Sequence, residues 1–333
     1  MKFSSKNRPK IIEKLKTKEY DLLIIGGGIT GAGLSVQATS MGMSTALIEM
    51  QDFSEGTSSR STKMVHGGIR YLRAFDVATV RDTLAERAVV QGIAPHIPRP
   101  VMMLLPIYDE ADPTFDPFNL KVAMDLYDKL AGVLGTKYAN KLISKEEALA
   151  IQPNLNPENL LGAGVYLDYT NNDSRLVIEN IKEAAERGAD TASRVKAIEI
   201  LHDKAGIVNG VLAEDLTTNE RFEIHAKVVI NAAGPFVDQV GKLDSENDTP
   251  QKMQVSKGVH LVVDESVLKV DRPTYVDTGK QDGRMTFIIP REHKTYFGTT
   301  DTVFDGDLKD PRVTQEDVDR SEERRVGKEC RSR

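Results

Sequence analysis

Gly26-Gly27-Gly28-Ile29-Thr30-Gly31 sets glycines at the first, third and sixth places of a Gly-x-Gly-x-x-Gly run. The pattern alone is common, and its setting gives it weight. It follows a short apolar run, Asp21 to Ile25, and opens a segment, Ile29 to Met41, whose apolar positions recur at helical spacing until Gly42. A strand feeding a helix through such a turn aims backbone N–H groups and the positive end of the helix dipole at one point, which suits a pyrophosphate. Gly26 permits the tight turn, Gly28 lets the backbone approach the phosphates, and Gly31 lets helix pack on strand. A second apolar run, Thr45 to Ile48, ends at Glu49, where a carboxylate can accept both hydroxyls of a ribose. With no arginine beside it, Glu49 argues against a 2′-phosphate and hence against NADP. NAD and FAD remain, and the polar cluster that follows favours FAD, because NAD enzymes usually pass quickly to another strand–helix unit.

That cluster runs from Gly56 to Leu72 and carries Ser58, Ser59, Ser61, Thr62 and Lys63, then His66-Gly67-Gly68-Ile69-Arg70-Tyr71. Hydroxyls and backbone amides in an irregular segment can bond a polar cofactor along its length. The planar fork of Arg70 offers a phosphomonoester paired, charge-assisted hydrogen bonds; the plain alternative is a surface arginine paired with a carboxylate. His66 is a candidate for placing a cofactor or polarising a substrate hydroxyl, and beside two glycines it could equally be structural. Lys257 either attracts an anionic substrate or is a solvated charge.

The elements that must position these residues follow from hydrophobic pattern and punctuation. Beyond the opening strand–helix–strand, helices are predicted over Val77 to Ala94, Asn119 to Gly132 and Arg175 to Arg187. Strands are predicted over Val101 to Ile107, Gly164 to Leu167, Ile207 to Ala213, Val228 to Asn231, Val259 to Val263 and Thr286 to Ile289. These outnumber one Rossmann half, and the surplus around Met253 to Thr300 reads as antiparallel, predicting a mixed-sheet domain beside the nucleotide-binding one.

A chain of 333 residues allows two lobes, and 40% hydrophobic with 28% charged residues is the composition of a globular protein. A formal net charge of -6 speaks against a nucleic-acid partner. One cysteine, Cys330, excludes an intramolecular disulfide and any multi-cysteine metal site, so no metal is expected. No apolar run reaches a membrane span and no signal peptide opens the chain, which predicts a cytoplasmic protein. The lysine-rich start, Met1 to Tyr20, has Ile11, Ile12 and Leu15 on one helical face. That face either touches the inner surface of a membrane peripherally or packs on its own domain.

From Ile24 through Leu72 the chain resembles the FAD-dependent glycerol-3-phosphate dehydrogenase family, and Met50-Gln51-Asp52-Phe53-Ser54-Glu55-Gly56-Thr57 is most similar to its α-glycerophosphate oxidase branch. Further matches are Glu86-Arg87-Ala88-Val89-Val90, Lys121 to Asp128, Asn171-Asn172-Asp173, Asn231-Ala232-Ala233-Gly234-Pro235, Lys257-Gly258-Val259-His260 and Gly298-Thr299-Thr300-Asp301. The resemblance implies an α/β fold of the D-amino-acid-oxidase type, a Rossmann-like FAD-binding domain interleaved with a mixed-sheet substrate domain. The expected boundaries are 18–98 and 150–243 for the FAD domain and 99–149 and 250–319 for the substrate domain.

The resemblance also implies oxidation of sn-glycerol 3-phosphate to dihydroxyacetone phosphate in glycerol metabolism, with electrons passed to oxygen or to quinone. By the same match, the glycine loop, Glu49, Met50, Ser58, Ser59, Thr62 and His66 line the FAD, with Val195 at the adenine and Ala232 and Gly234 on the return strand. His66, Arg70, Tyr71 and Lys257 serve the substrate. An amine oxidase of the same fold, acting on a glycine- or sarcosine-like substrate, and an inactive FAD-binding fragment are the competing readings. Family members continue through a Gly-x-Arg-Pro and a Gly-Gly-Lys setting that this sequence lacks, so the chain as it stands is expected not to turn over at a normal rate. Residues 321–333, charged and without an apolar face, are expected to be a non-native tail.

Overall fold

A computed structural model describes residues 3–110, 113–245, 250–251, 253–277 and 285–319. In chain order these form α1 (Arg8–Thr17), β1 (Glu19–Ile25), α2 (Ile29–Ser40), β2 (Thr45–Glu49), β3 (Met64–Val65), α3 (Val77–Ile93), β4 (Arg99–Tyr108), α4 (Pro117–Ala131), β5 (Lys141–Ser144), α5 (Lys145–Ile151) and β6 (Leu160–Thr170). There follow α6 (Asp173–Glu186), β7 (Asp190–Ser193), β8 (Val195–His202), β9 (Val208–Asp215), β10 (Glu220–Asn231), α7 (Val237–Gly241), β11 (Ser256–Lys257), β12 (Leu261–Asp264), β13 (Thr274–Asp277), β14 (Met285–Arg291), β15 (Lys294–Gly298) and β16 (Thr302–Val303). The chain divides into two units, each assembled from separate stretches.

The first unit takes the chain up to Lys63, Asn172–Val255 and Asp305–Asp310. Its sheet has the order β7-β2-β1-β10-β9-β8. β1 pairs in parallel with both β10 and β2, which explains its unbroken apolar run: both faces are covered, so nothing selects for alternation. α2 packs on the sheet through Gly31, Ala32, Ser35 and Ala38, small residues that let helix and strand approach closely. β10 continues into an antiparallel meander with β9 and β8, and there Phe222, Ile224 and Ala226 alternate with exposed neighbours. α1 buries Ile12 and Leu15 in this unit's core beside Tyr20, Val211 and Ile224, so the face that was a candidate for a membrane surface is spent on its own sheet. Among the described residues no helix is long and apolar enough to cross a membrane.

The second unit comprises Met64–Asn171, Ser256–Phe304 and the chain from Pro311. Its large sheet runs β12-β15-β14-β13-β4-β6-β3, with β5 also on β6. β12 to β15 form the expected antiparallel set, and β13 joins β4 in parallel. The sequence boundaries therefore move. The expected break at 98/99 lies at Lys63/Met64, because β3 pairs with β6 and α3 buries Val80 and Leu84 in the same core as Leu120, Met124 and Tyr127 of α4. The break expected at 149/150 lies at Asn171/Asn172, because β6 pairs with β4 along its length. Asp305–Asp310, expected in the substrate domain, falls in the first unit. The expected tail, 321–333, lies outside the described residues.

Candidate functional site

In the first unit the β1–α2 loop is tightly built. A Cβ on Gly26, whose φ is +119°, would meet the Ala232 carbonyl oxygen at 2.4 Å, and one on Gly31 would meet the Gly26 carbonyl oxygen at 1.9 Å. Gly27 is pressed between Phe53 and Glu49, where a Cβ would lie 2.7 Å and 2.8 Å from their atoms. Gly28 differs. Its backbone is extended at φ −79°, ψ −173°, and the nearest neighbour of an added Cβ is the Ser58 hydroxyl at 3.0 Å, a side chain rather than backbone. A ligand seated on the loop would add its own demand for glycine there. Ile29 and Thr30 are exposed at the first turn of α2, whose N-cap Gly28 supplies no side-chain bond; the Ile29 N–H donates to Ser58 Oγ at 2.9 Å.

Glu49 ends β2 with both carboxylate oxygens in use: Oε2 accepts from the Gly27 N–H at 2.7 Å and Oε1 from the Gln51 N–H at 2.6 Å. Each oxygen keeps a further lone pair for a ligand hydroxyl. Met50 follows, half-buried. The serine-rich segment forms a short turn, Thr57–Ser59, and its end is tied to α6, where Ser61 donates to Asp173 and Lys63 pairs with the same carboxylate at 3.6 Å. Lys63 also donates to the Ser59 carbonyl. Ser58, Ser59 and Thr62 are half-buried on this segment. The Val195 side chain is fully buried in the core, leaving only its backbone for a ligand. The preceding Arg194 N–H donates to the Gln51 carbonyl at 3.0 Å, which ties this backbone to the end of β2. The Ala232 N–H donates to the Ile25 carbonyl at 2.8 Å, and Gly234 opens the turn beyond it. The loop, Glu49 and Ala232 are thus joined by hydrogen bonds and close packing.

In the second unit His66, Arg70 and Tyr71 lie on one turn. His66 and Tyr71 are exposed and Arg70 is half-buried. The His66 ring lies 5.4 Å from that of Phe287, which stacks on Tyr275 at 4.2 Å. The Arg70 guanidinium sits 5.5 Å over the Tyr71 ring. Burial pushes the Tyr275 hydroxyl up to about 12, an effect that the Arg70 charge opposes. Among the described residues no carboxylate pairs with Arg70. Lys257 stands differently: its ammonium donates to Asp317 at 2.6 Å and to the Arg312 carbonyl at 3.0 Å, and the pair is largely buried. It is neither a solvated charge nor a free cation. The family-like segments around Gly258 and Thr300 do meet, with the Val259 N–H donating to Thr300 Oγ1 at 3.0 Å and β11 pairing with β16.

Residues 21–326 match the family of FAD dependent oxidoreductases. The chain belongs to this family. As a member it takes FAD as its cofactor, and the glycine cradle fits that group: the loop is closed by backbone contacts at Gly26 and Gly31 and is met at Gly28 by the Ser58 side chain alone. The chain is similar to the alpha-glycerophosphate oxidase of Enterococcus casseliflavus, 63% identical over 96% of this chain and 52% of that protein. A second such oxidase, from Streptococcus pneumoniae, is 60% identical over the same shares. The chain therefore spans about half the length of the curated relatives it matches. Among solved structures, the glycerol-3-phosphate dehydrogenase from Bacillus halodurans complexed with FAD superposes with a TM-score of 0.77 at 40% identity, over 96% of this chain and 55% of that one.

Three residues without an assigned role prove central to the oxidoreductase's second unit. Arg87, Tyr127 and Asp168 are buried together beneath the His66 turn. Their signal was present: Arg87 falls in helical register with the buried Val80 and Leu84, and Asp168 interrupts the apolar run of β6. A charge on an apolar stripe is the observation to question, and hydrophobic periodicity alone passes over it.

Proposed function

We propose that this chain carries the FAD-binding and substrate-facing parts of a glycerol-3-phosphate oxidase, which converts sn-glycerol 3-phosphate to dihydroxyacetone phosphate and passes the electrons to oxygen. The observation that carries the reading is Arg70, a half-buried guanidinium with no carboxylate partner among the described residues, on the same turn as His66 and Tyr71. A phosphomonoester is the ligand such a fork suits. The names of the relatives at 60% and 63% identity point the same way.

Bound FAD supplies the capacity to accept hydride from the carbon bearing the central hydroxyl. The chain's own residues bind and orient. The first-turn amides of Thr30 and Gly31 would meet the pyrophosphate, with Gly28 leaving room for it, while the Ile29 N–H is held by Ser58. Gly27 packs the loop onto Glu49, whose remaining lone pairs accept the ribose hydroxyls. The backbone at Val195 meets the adenine, and Met50, Ser58, Ser59, Thr62, Ala232 and Gly234 line the rest. Arg70 grips the phosphate, Tyr71 walls the site, and His66 takes the proton that leaves the central hydroxyl. Lys257 serves by docking the Asp317 turn to β11, not as a substrate cation, since Asp317 already neutralises it.

The test is a substrate panel on this chain extended to the length of the oxidases it matches and loaded with FAD, with peroxide as the readout. Glycerol 3-phosphate should yield peroxide, and glycine, sarcosine and glycerol should yield far less. Peroxide from sarcosine or glycine in preference would overturn the assignment.

A further inference from the structure

We propose that the buried Arg87–Asp168–Tyr127 network is the positioning device for the His66–Arg70 turn. The inference rests on the reading of that turn as substrate-facing. The Gly67 N–H donates to the Tyr127 hydroxyl at 2.9 Å and to Asp168 Oδ1 at 3.2 Å. Tyr127 in turn donates to Asp168 Oδ1 at 3.0 Å, and Arg87 donates to the same oxygen at 2.7 Å. Arg87 also donates to the Leu167 carbonyl at 3.0 Å. On its other side, the Gly67 carbonyl lies 3.0 Å from the Thr83 hydroxyl, which shares its single proton with the Thr79 carbonyl at 2.8 Å. Gly67, the residue after His66, is thus met at its N–H by side chains from α4 and β6 and at its carbonyl by one from α3.

Two features separate this from ordinary core packing. First, Arg87 is 3% exposed, Asp168 1% and Tyr127 0%, and burial pushes the Asp168 carboxyl up while Arg87 opposes it. A buried ion pair is a poor source of stability, and apolar side chains of equal volume would fill this core as well. What apolar side chains cannot do is accept the Gly67 N–H. Second, Gly67 is pressed onto the network: a Cβ there would lie 2.5 Å from the Tyr127 hydroxyl and 2.3 Å from Leu84 Cδ2. The backbone beside His66 is seated on the phenol, and Asp168 is the shared acceptor that orients both the phenol and the amide. Arg87 fixes Asp168 in turn, with its guanidinium 4.9 Å over the Tyr169 ring. Arg87, Asp168 and Tyr127 touch no substrate in this arrangement; they act through the turn.

The experiment compares Tyr127→Phe and Arg70→Lys in the FAD-loaded protein extended to the length of the oxidases it matches. Tyr127→Phe removes one hydroxyl and leaves the Gly67 N–H with the longer bond to Asp168. The expected results are amide exchange at Gly67 faster by about tenfold and kcat/KM for glycerol 3-phosphate lower by about tenfold. For uncharged glycerol the fall should be smaller, because a displaced Arg70 matters only to a phosphate. A merely structural role predicts equal losses on both substrates that track the drop in Tm. The double variant Arg87→Leu/Asp168→Leu replaces the pair with apolar groups and should keep the fold while losing the same activity. Unchanged exchange at Gly67 in Tyr127→Phe, or unchanged kcat/KM where Arg70→Lys does raise KM, would overturn the proposal. An Arg70→Lys variant with unaltered KM would instead overturn the phosphate reading of the site, and the exchange result would still decide whether the network sets the turn.

Discussion

Glu49 accepts the N–H groups of Gly27 and Gln51 and so shapes the glycine loop, and in the function proposed above its remaining lone pairs accept a ribose. Glu49→Gln keeps the shape but converts one acceptor oxygen into a donor opposite an N–H. FAD affinity should fall by about 1–3 kcal/mol, read as the dissociation constant for FAD. An unchanged constant would mean that the side chain serves its own loop alone. The roles of glycine were legible in the sequence because they follow from covalent geometry: Gly26 and Gly31 permit contacts that any Cβ would block. The partner of Lys257 was not legible, since Asp317 lies far along the chain and no local pattern announces the pairing.

At the scale of elements, the periodic segments were read close to their observed ends: Ile29–Ser40 for a predicted Ile29 to Met41, and Val77–Ile93 for a predicted Val77 to Ala94. The elements that went unread are those whose reason is tertiary. β7 is Asp-Thr-Ala-Ser, with no apolar run, and is a strand because β2 offers it a parallel edge. α5 was readable in principle, since Ser144 and Glu147 form a capping box, with the Ser144 side chain accepting from the Glu147 N–H. The domain boundary near residue 98 misled for a similar reason: the polar Gly56 to Gly68 stretch looked continuous with the nucleotide loop, and only the pairing of β3 with β6 assigns its end to the second unit. For α1 the structure gives a sharp expectation. Leu15 is 0% exposed in the first unit's core, so Leu15→Ala should lower stability by about 2–5 kcal/mol in a urea titration and leave vesicle binding unaltered. An unchanged titration with weaker vesicle binding would return this helix face to the membrane.

At the scale of the whole molecule, much of the aromatic surface is committed to cores. Burial pushes the hydroxyls of Tyr108 and Tyr275 from 10.0 up to about 12, and those of Tyr20, Tyr127 and Tyr166 are raised as well. A phenol whose folded value lies above its unfolded one favours the fold while protonated. That contribution is complete below the unfolded value and is lost as pH climbs through the folded one. Tyrosinate absorbance should therefore rise in two steps, the exposed phenols first and the buried ones together with loss of secondary structure. A single step covering all nine tyrosines near the ordinary value would contradict the described burial. The fold class was legible because strand, glycine loop, helix and acidic strand end are local signals; the buried Arg87–Asp168–Tyr127 network was not, since its members lie on α3, β6 and α4 and no single spacing joins them. The central claim, that the protein this chain belongs to withdraws hydride from glycerol 3-phosphate, is tested most directly by mixing the FAD-loaded chain, extended to the length of the oxidases it matches, with that substrate in the absence of oxygen and following the visible flavin band. The account predicts that the band bleaches with glycerol 3-phosphate and returns when oxygen is admitted; a band that stays with glycerol 3-phosphate, or bleaches instead with sarcosine, would contradict it.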